Sequence, residues 1–126
     1  MRFYDRQFIT REKTNKGVLT RFSDILNAYL DSNEPKENGL PSVAYFADKL
    51  NLSPNYFGDL VKRETGKSAK EQIQLQLIRK AKDLIYDNQR SISEISYELG
   101  FHYPQHFSRL FKNETGMTPN EFRNLN

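Results

Sequence analysis

Two similar stretches of the chain place basic, amide and hydroxyl side chains between regularly spaced apolar residues. The first stretch, SPNYFGDLVKRETGKSAKE, begins at Ser53, and the second, YPQHFSRLFKNETGMTPNE, begins at Tyr103. Their apolar positions correspond at an offset of fifty: Phe57, Leu60 and Val61 in the first, and Phe107, Leu110 and Phe111 in the second. We expect these side chains to be the buried anchors of two helices. The polar positions between them should face outwards, where they can bind another molecule.

Catalytic and metal-binding patterns are weak by comparison. His102 and His106 have the i, i+4 spacing that allows joint metal binding if both lie on one helix. Pro104 stands between them, so His102 is predicted to be a turn residue, and no third ligand is nearby. The chain has no cysteine, no glycine-rich phosphate loop and no supported Ser/His/Asp pattern. We therefore predict no enzyme, no metal site and no cofactor.

A short helix and a sharp turn are predicted before each of the two stretches. Ser42 can cap the first short helix, and Ser91 with Glu94 can form a capping box for its counterpart. Asn51 and Gly100 stand at equivalent places between the paired helices, and both residue types tolerate a left-handed backbone. A helix, a tight turn and a second helix with an outward polar face is the arrangement of a helix-turn-helix DNA reader. The sequence predicts two of them.

One longer helix is predicted to connect the two units. Gly66 and Gly116 are placed to end a helix in each copy, and capping boxes at 68–71 and 118–121 start the next helices. A connecting helix of roughly 18 residues spans on the order of 27 Å. Because equivalent major grooves on one face of DNA lie about 34 Å apart, both second helices could enter successive grooves, especially if the DNA bends.

The sequence predicts an all-α chain in three parts. Residues 1–16 are interpreted as a basic tail or the stump of an upstream connection, in which we expect little order. Residues 17–39 hold an N-terminal helix and then a linker from Ser32 to Gly39. The duplicated domain covers residues 40–126, divided into helix-turn-helix one (42–66), a linker helix (69–87), helix-turn-helix two (91–116) and a C-terminal helix (118–125).

The charge is distributed unevenly along the 126 residues. The formal net charge is only +3, but residues 1–16 carry five Lys/Arg against two Asp/Glu, and residues 62–112 carry ten against six. A cationic middle suits a nucleic-acid face, although an ordinary solvated helical surface would explain it equally well. No apolar run is long enough to span a bilayer, and the N-terminus lacks the apolar stretch of a signal peptide. We expect a cytoplasmic protein without a membrane partner.

The chain resembles the AraC/XylS family of bacterial transcriptional regulators through GFHYPQHFSRLFKNETGMTPNEFR, residues 100–123. The family signature has Gly-Phe, then Phe-x-Arg-x-Phe-Lys, Gly-x-Thr-Pro and an aromatic residue followed by Arg. The matching residues are Gly100, Phe101, Phe107, Arg109, Phe111, Lys112, Gly116, Thr118, Pro119, Phe122 and Arg123. The resemblance extends over roughly residues 40–124 and implies seven helices with two helix-turn-helix motifs. It also implies sequence-specific binding of double-stranded promoter or operator DNA to regulate transcription.

The resemblance assigns roles to individual exposed positions. The base-reading positions are Asn55, Tyr56, Asp59, Gln105, His106, Ser108 and Arg109. Charge and helix starts, rather than the resemblance, predict the phosphate-binding positions Ser53, Lys62, Arg63, Ser91, Lys112 and Thr118, although each hydroxyl could do no more than cap a helix. Arg109 can donate two hydrogen bonds to guanine or act only as a surface charge, and Gln105 could pair with adenine.

The first unit departs from well-read members of the family at two outward positions. Asp59 repels phosphate but can accept a hydrogen bond from cytosine N4, so it marks either specificity or a weakly binding half. Gly58 should cost about 1 kcal/mol of helix stability relative to Ala, which suggests either close approach to DNA or a tolerant surface.

An alternative function and the missing partners stay open at this point. The tyrosines at positions 56, 97 and 103 could serve a helical protein–protein interaction module that binds no DNA. If the chain is a transcription factor, RNA polymerase is an expected partner. The chain could also be the C-terminal fragment of a longer regulator, whose missing N-terminal domain would hold the effector site and a homodimer contact.

Overall fold

The computed structural model describes the backbone of residues 3–87 and 89–125, with side chains from residue 15 onwards in those ranges. These residues form eight α-helices and no strand, which confirms the all-α prediction. In chain order the helices are α1 (Phe3–Asp31), α2 (Glu34–Asn38), α3 (Val43–Lys49), α4 (Pro54–Thr65), α5 (Ala69–Ile85), α6 (Ile92–Glu98), α7 (Pro104–Thr115) and α8 (Pro119–Arg123). Over the same ranges, no helix is long and apolar enough to cross a membrane.

The helices α3 with α4, and α6 with α7, are the two predicted helix-turn-helix units. The first helix of each unit has 7 residues and the second has 12. The turns contain the two expected left-handed residues, Asn51 with φ 59° and Gly100 with φ 102°. Residues 50–53 separate α3 from α4, whereas residues 99–103 separate α6 from α7, so the second turn is one residue longer.

The predicted helix caps are present in both units. Five hydroxyl side chains each accept a hydrogen bond from the backbone N–H three residues further on: Ser42, Ser53, Ser68, Ser91 and Thr118. The pairs Ser68–Glu71, Ser91–Glu94 and Thr118–Glu121 are complete capping boxes. Gly66 and Gly116 end α4 and α7 with φ of 80° and 84°. These local signals determine where six of the helices begin or end.

The core lies where α1 and α5 meet the two units. The ring of Phe22 on α1 packs edge-on against Phe46 and Phe57, with centroids 5.1 and 5.0 Å apart. The linker helix α5 contacts α1, α4, α6, α7 and α8. It has 17 residues and is therefore about 26 Å long.

One expectation for the first 39 residues is wrong. The interval from Ser32 to Gly39, predicted as a linker, contains α2, whose Pro35 is buried. Proline is compatible with the first turn of a helix, where its missing N–H would have no partner, so Pro35 fits the second position of α2 and does not break it. α1 begins at Phe3, and the interpretation of residues 1–16 as a basic tail or the stump of an upstream connection stays a prediction.

The helix count also differs from what the resemblance implies. The described residues 40–87 and 89–124 contain six helices, α3 to α8, instead of seven. α1 packs against α3 and α5 and completes the seven. The packed unit therefore includes α1 and begins before residue 40.

One of the six predicted anchors is less buried than expected. Leu110 is half-buried, whereas Leu60 at the equivalent position is 1% exposed. The first unit lies against the long helices α1 and α5, whereas the second is contacted by α5 and by the five-residue helices α2 and α8. The second unit is therefore covered by shorter helices than the first.

Candidate nucleic-acid interface

The second helices of the two units, α4 and α7, present corresponding polar faces. Their inner positions Phe57, Leu60, Val61, Phe107 and Phe111 are buried. We call Asn55, Tyr56 and Asp59 the outer face of α4, and Gln105, His106, Ser108 and Arg109 the outer face of α7. All of these side chains are exposed except Ser108, which is half-buried.

On the outer face of α4, Asn55 and Asp59 lie one helical turn apart. Lys62 and Arg63 follow Asp59 by three and four residues, but neither forms an ion pair with it. Within residues 15–87 and 89–125, the ion pairs are those of Lys80 with Asp31 and of Arg90 with Asp87 and Glu98. The Asp59 carboxylate is therefore available to a hydrogen-bond donor from outside the chain.

On the outer face of α7, Gln105 and Arg109 occupy the same relative positions one turn apart. The Arg109 side chain is exposed, and it takes no part in the ion pairs of the described residues. The His106 ring packs edge-on against Tyr103, with centroids 5.3 Å apart. The part of the chain with described side chains holds no cluster of three or more metal-ligating residues.

The phosphate-binding candidates fall into two groups. Lys62, Arg63 and Lys112 are exposed in the last turns of α4 and α7. A cation there also interacts favourably with the negative end of the helix dipole. The hydroxyl candidates all act as caps, and Ser53 accepts from the N–H of Tyr56 at 3.1 Å.

The three hydroxyl candidates differ in what their own backbone N–H groups do. The N–H of Ser91 donates to Glu94 at 3.0 Å, and that of Thr118 donates to Glu121 at 2.8 Å. Ser53 is followed three residues later by a tyrosine, so no carboxylate occupies its N–H. Ser53 is therefore the one of the three whose backbone donor is not taken by a capping box.

The capping boxes also fix negative charge at helix starts. Hydrogen bonds from the backbone and side chain of Ser68 lower the pKa of Glu71, and the nearby Lys62 lowers it further. The same causes at Thr118, with Lys112 nearby, lower the pKa of Glu121. Lys62 and Lys112, in the last turns of α4 and α7, are therefore each near an ionised carboxylate and also exposed to solvent.

Arg123 has a role that the sequence did not indicate. Its guanidinium donates to the carbonyl of Ile85 at 3.1 Å and to that of Asp87 at 3.2 Å. The last carbonyls of a helix lack partners within it, so Arg123 caps α5 and ties α8 to the end of the linker helix. The partners are 38 and 36 residues away, and no local signal in the sequence could have identified them.

The repeated threonines of the two ETG endings hold the turns after α4 and α7. The Thr65 hydroxyl donates to Val61 O at 2.7 Å and accepts from the N–H of Lys67 at 3.2 Å. The Thr115 hydroxyl makes the corresponding bonds with Phe111 and Met117. The same threonine at equivalent positions of the two repeats is the sequence signal that could have identified this role.

Gly58 lies on α4 between the outer face and the buried side. A Cβ added there would meet nothing within 4 Å. Packing within the protein therefore does not require glycine at this position.

The chain matches a known protein family over most of its length. The profile of a family described as a helix-turn-helix domain matches residues 46–125. This chain belongs to that family and is an AraC-type DNA-binding domain of transcriptional regulators, not an enzyme.

The chain is also similar to parts of longer curated proteins. The transcriptional regulatory protein YesN of Bacillus subtilis, described as uncharacterized, is 40% identical over 78 residues, which are 60% of this chain and 21% of YesN. The chain spans less than a third of the length of the first curated relatives it matches.

Two solved structures share the fold. The C-terminal domain of AraT, a response regulator from Geobacillus stearothermophilus, has a TM-score of 0.75 at 24% identity and covers 86% of this chain and 85% of that one. The DNA-binding domain of AdpA, a global transcriptional factor solved in complex with a target DNA, has a TM-score of 0.68 at 18% identity, over 82% of this chain and 89% of that one. At these identities the likeness concerns the fold alone.

Proposed function

We propose that α4 and α7 enter successive major grooves on one side of promoter or operator DNA, and that this binding regulates transcription. The observation that carries the proposal is the duplicated unit, in which two 12-residue helices expose corresponding polar faces. The linker helix of about 26 Å is shorter than the 34 Å between equivalent grooves, so we expect the DNA to bend towards the protein.

The outer faces of the two helices supply the base contacts. Arg109 donates two hydrogen bonds to guanine O6 and N7, and Gln105 pairs with adenine. Asp59 accepts from cytosine N4. The exposure of these side chains, and the ion pairs of the described residues being made elsewhere, support this assignment. The other base-reading positions are Asn55, Tyr56, His106 and Ser108.

The phosphate contacts position both helices on the duplex. Lys62, Arg63 and Lys112 neutralise phosphates. Ser53 adds a backbone N–H at the start of α4, whereas Ser91 and Thr118 contribute through their hydroxyls only, because their N–H groups are bonded to glutamates. Affinity should fall steeply with salt, by a slope of about −0.9 in log K per phosphate contact.

The proposed function also implies a cellular location and further partners for the chain. Binding to bacterial promoter DNA places the chain in the cytoplasm, with RNA polymerase as a further partner. A homodimer would form through a domain outside this chain. These partners rest on the family resemblance and are assigned to no residue here.

A selection experiment tests the proposal. The purified chain is equilibrated with randomised duplexes of about 20 bp, which is two helical turns, at about 150 mM salt. We expect enrichment of a motif that spans two successive grooves. Arg109→Ala should relax one base position, whereas Arg21→Ala, which removes the same side chain from an exposed position on α1, should leave the motif unchanged.

Other results would contradict specific parts of the proposal. Enrichment over one groove only would mean that the first unit binds weakly and that Asp59 reads no base. Absence of enrichment at every salt concentration would exclude DNA reading by this chain and favour the protein-interaction module.

A further inference from the structure

The segment between α1 and α3 contacts the second helix-turn-helix unit, although it precedes the first in sequence. We call residues 34–40, which comprise α2, Gly39 and Leu40, the bridge. α2 packs against both α1 and α6. Gly39 lies directly against Gly100, because a Cβ on Gly100 would be 2.7 Å from the carbonyl carbon of Gly39 and 2.9 Å from Leu40 N. The bridge thus touches the turn of the second unit at backbone distance.

The other side of the bridge is anchored to the first unit. The Tyr29 hydroxyl on α1 donates to the carbonyl of Gly39 at 2.7 Å. Burial, and then the nearby Glu34, raise the pKa of Tyr29, so the hydroxyl keeps its proton at neutral pH. The Tyr29 ring packs edge-on against Tyr45 of α3, with centroids 5.2 Å apart. A continuous set of contacts therefore runs from the core of the first unit to the turn of the second.

This second connection matters because of how the two units are otherwise joined. The chain passes from α5 to α6 through residues 86–91, where Arg90 pairs with Glu98 at 2.6 Å. The second unit also packs against α5 through α6 and α7. The bridge adds a separate set of contacts, which limits rotation of the second unit about α5. One base pair corresponds to a rotation of about 35° and a rise of about 3.4 Å, so small rotations of the second unit change which spacing of DNA sites it fits.

We propose that the bridge fixes the second helix-turn-helix unit relative to the first and so sets the spacing of the two DNA half-sites that the chain accepts. Tyr29, Gly39 and Gly100 are positioning residues in this role, since none lies on the outer face of α4 or α7. Gly100 is then required twice, by its φ of 102° and by its contact with Gly39. This inference rests on the proposed two-groove binding.

The test measures spacing selectivity instead of affinity alone. Duplexes carry the two selected half-sites with zero, one or two base pairs inserted between them, and each is also prepared with one half-site scrambled. The wild-type chain should lose at least about tenfold in affinity on one insertion, equivalent to about 1.4 kcal/mol. Replacing residues 34–38 by an equally long Gly/Ser segment should reduce this ratio to below about threefold while leaving the affinity for the first half-site unchanged.

A single-atom variant keeps the test decisive if the replaced segment prevents folding. Tyr29→Phe removes only the hydroxyl bonded to Gly39, and we expect it to lower the spacing ratio by about twofold to tenfold. Tyr45→Phe is the matched control, because its hydroxyl has no hydrogen-bond partner among the described residues. It should leave the ratio unchanged.

The outcomes separate this inference from the proposed function. A wild-type chain that binds no duplex contradicts the two-groove binding itself. If the wild-type chain binds both half-sites but accepts every spacing equally, or if Tyr29→Phe keeps the full wild-type ratio, the bridge has no positioning role while the DNA-binding proposal stands.

Discussion

The first and second helix-turn-helix units share their frame and differ on their outer faces. Their helices have equal lengths, their second helices end at left-handed glycines, and Thr65 and Thr115 make the same hydrogen bonds after them. At equivalent outward positions, however, the first unit has Asn55, Tyr56, Gly58 and Asp59, where the second has Gln105, His106, Ser108 and Arg109. Packing constrains the frame, whereas exposed positions tolerate change.

The difference at one position reverses the direction of hydrogen bonding. A carboxylate such as that of Asp59 only accepts hydrogen bonds, whereas the guanidinium of Arg109 only donates them. Two units that had the same frame and the same outer face would read a repeated DNA sequence. With these outer faces we expect two different half-sites in one binding site, although the helices that read them are held in the same way.

The largest effect on stability is expected at the equivalent anchors Leu60 and Leu110, which differ in burial. Leu60→Ala should lower the free energy of unfolding by about 2–5 kcal/mol, because it leaves a cavity in a buried site. Leu110→Ala should cost less than half as much, since Leu110 is half-buried and solvent can fill the space. Urea denaturation of both variants measures the difference. Equal costs would show that the two units are covered equally in solution.

The next effect concerns the outer faces. Arg109→Ala should weaken binding to the selected site by about 1–3 kcal/mol, or roughly 5-fold to 150-fold, and should relax a guanine position. Asp59→Asn should change the preferred base at its contact from cytosine to adenine, because an amide pairs with adenine N6 and N7. Fluorescence anisotropy with single-base variants of the site measures both.

A different response of the Asp59→Asn variant would contradict base reading by the first unit. If Asp59→Asn strengthens binding to every duplex equally, the carboxylate only repels phosphate and the first unit reads no base through it. Asp83→Asn, an exposed change on the linker helix, controls for the general effect of removing one negative charge.

Features determined by neighbouring residues could be predicted from the sequence. The hydroxyl caps, the capping boxes and the turns at Asn51 and Gly100 depend on contacts within about four residues, and all of them are present in the structure. The outward position of Arg109 followed from the helical spacing of its apolar neighbours. The base and phosphate roles of the outer residues stay predictions, because they depend on a molecule outside the chain.

Features determined by distant residues could not be predicted. Pro35 and Gly39 suggest a linker when considered locally, yet they lie in a bridge whose partners are Tyr29 and Gly100. Arg123 is similar, since it caps a helix that ends 38 residues earlier. In each case the sequence contains the residue but gives no indication of which distant backbone group it contacts.

The starts of the two second helices differ, and this difference should have a moderate effect on stability. Ser53→Ala removes a cap bond of 3.1 Å to the N–H of Tyr56 and should cost about 1 kcal/mol. Tyr103 at the equivalent position makes no side-chain cap bond, so Tyr103→Ala should cost about half as much or less, through its contact with His106. Thermal unfolding followed by circular dichroism compares the two. A larger loss for Tyr103→Ala would mean that its ring, not a cap, holds the start of α7.

A smaller effect is expected at Gly58. Gly58→Ala should raise the free energy of unfolding by about 0.5–1 kcal/mol, because alanine favours the helix and its Cβ meets nothing within 4 Å. Ser108→Ala introduces alanine at the equivalent position of the second unit, where no glycine is replaced, and so serves as the control for the change in stability. If Gly58→Ala stabilises the chain but weakens binding to the selected DNA, the glycine serves close approach of α4 to the duplex. Unchanged DNA affinity would show a tolerant surface instead.

The smallest expected difference between the units depends on pH. Glu94 lies in the first turn of α6 in the second unit, and hydrogen bonds from the backbone and side chain of Ser91 lower its pKa. A carboxyl whose pKa is lower in the folded chain stabilises the fold above its unfolded pKa, and this stabilisation is lost as the pH falls through the folded pKa. In the first unit, α3 is capped by Ser42 without a carboxylate. Acidification below the ordinary glutamate range should therefore lower the amide protection factors, which compare exchange with the intrinsic rate at the same pH, more in α6 than in α3. Glu94→Gln keeps an acceptor but does not titrate, so it should flatten the pH dependence of α6; an unchanged profile would assign the acid sensitivity to other carboxylates.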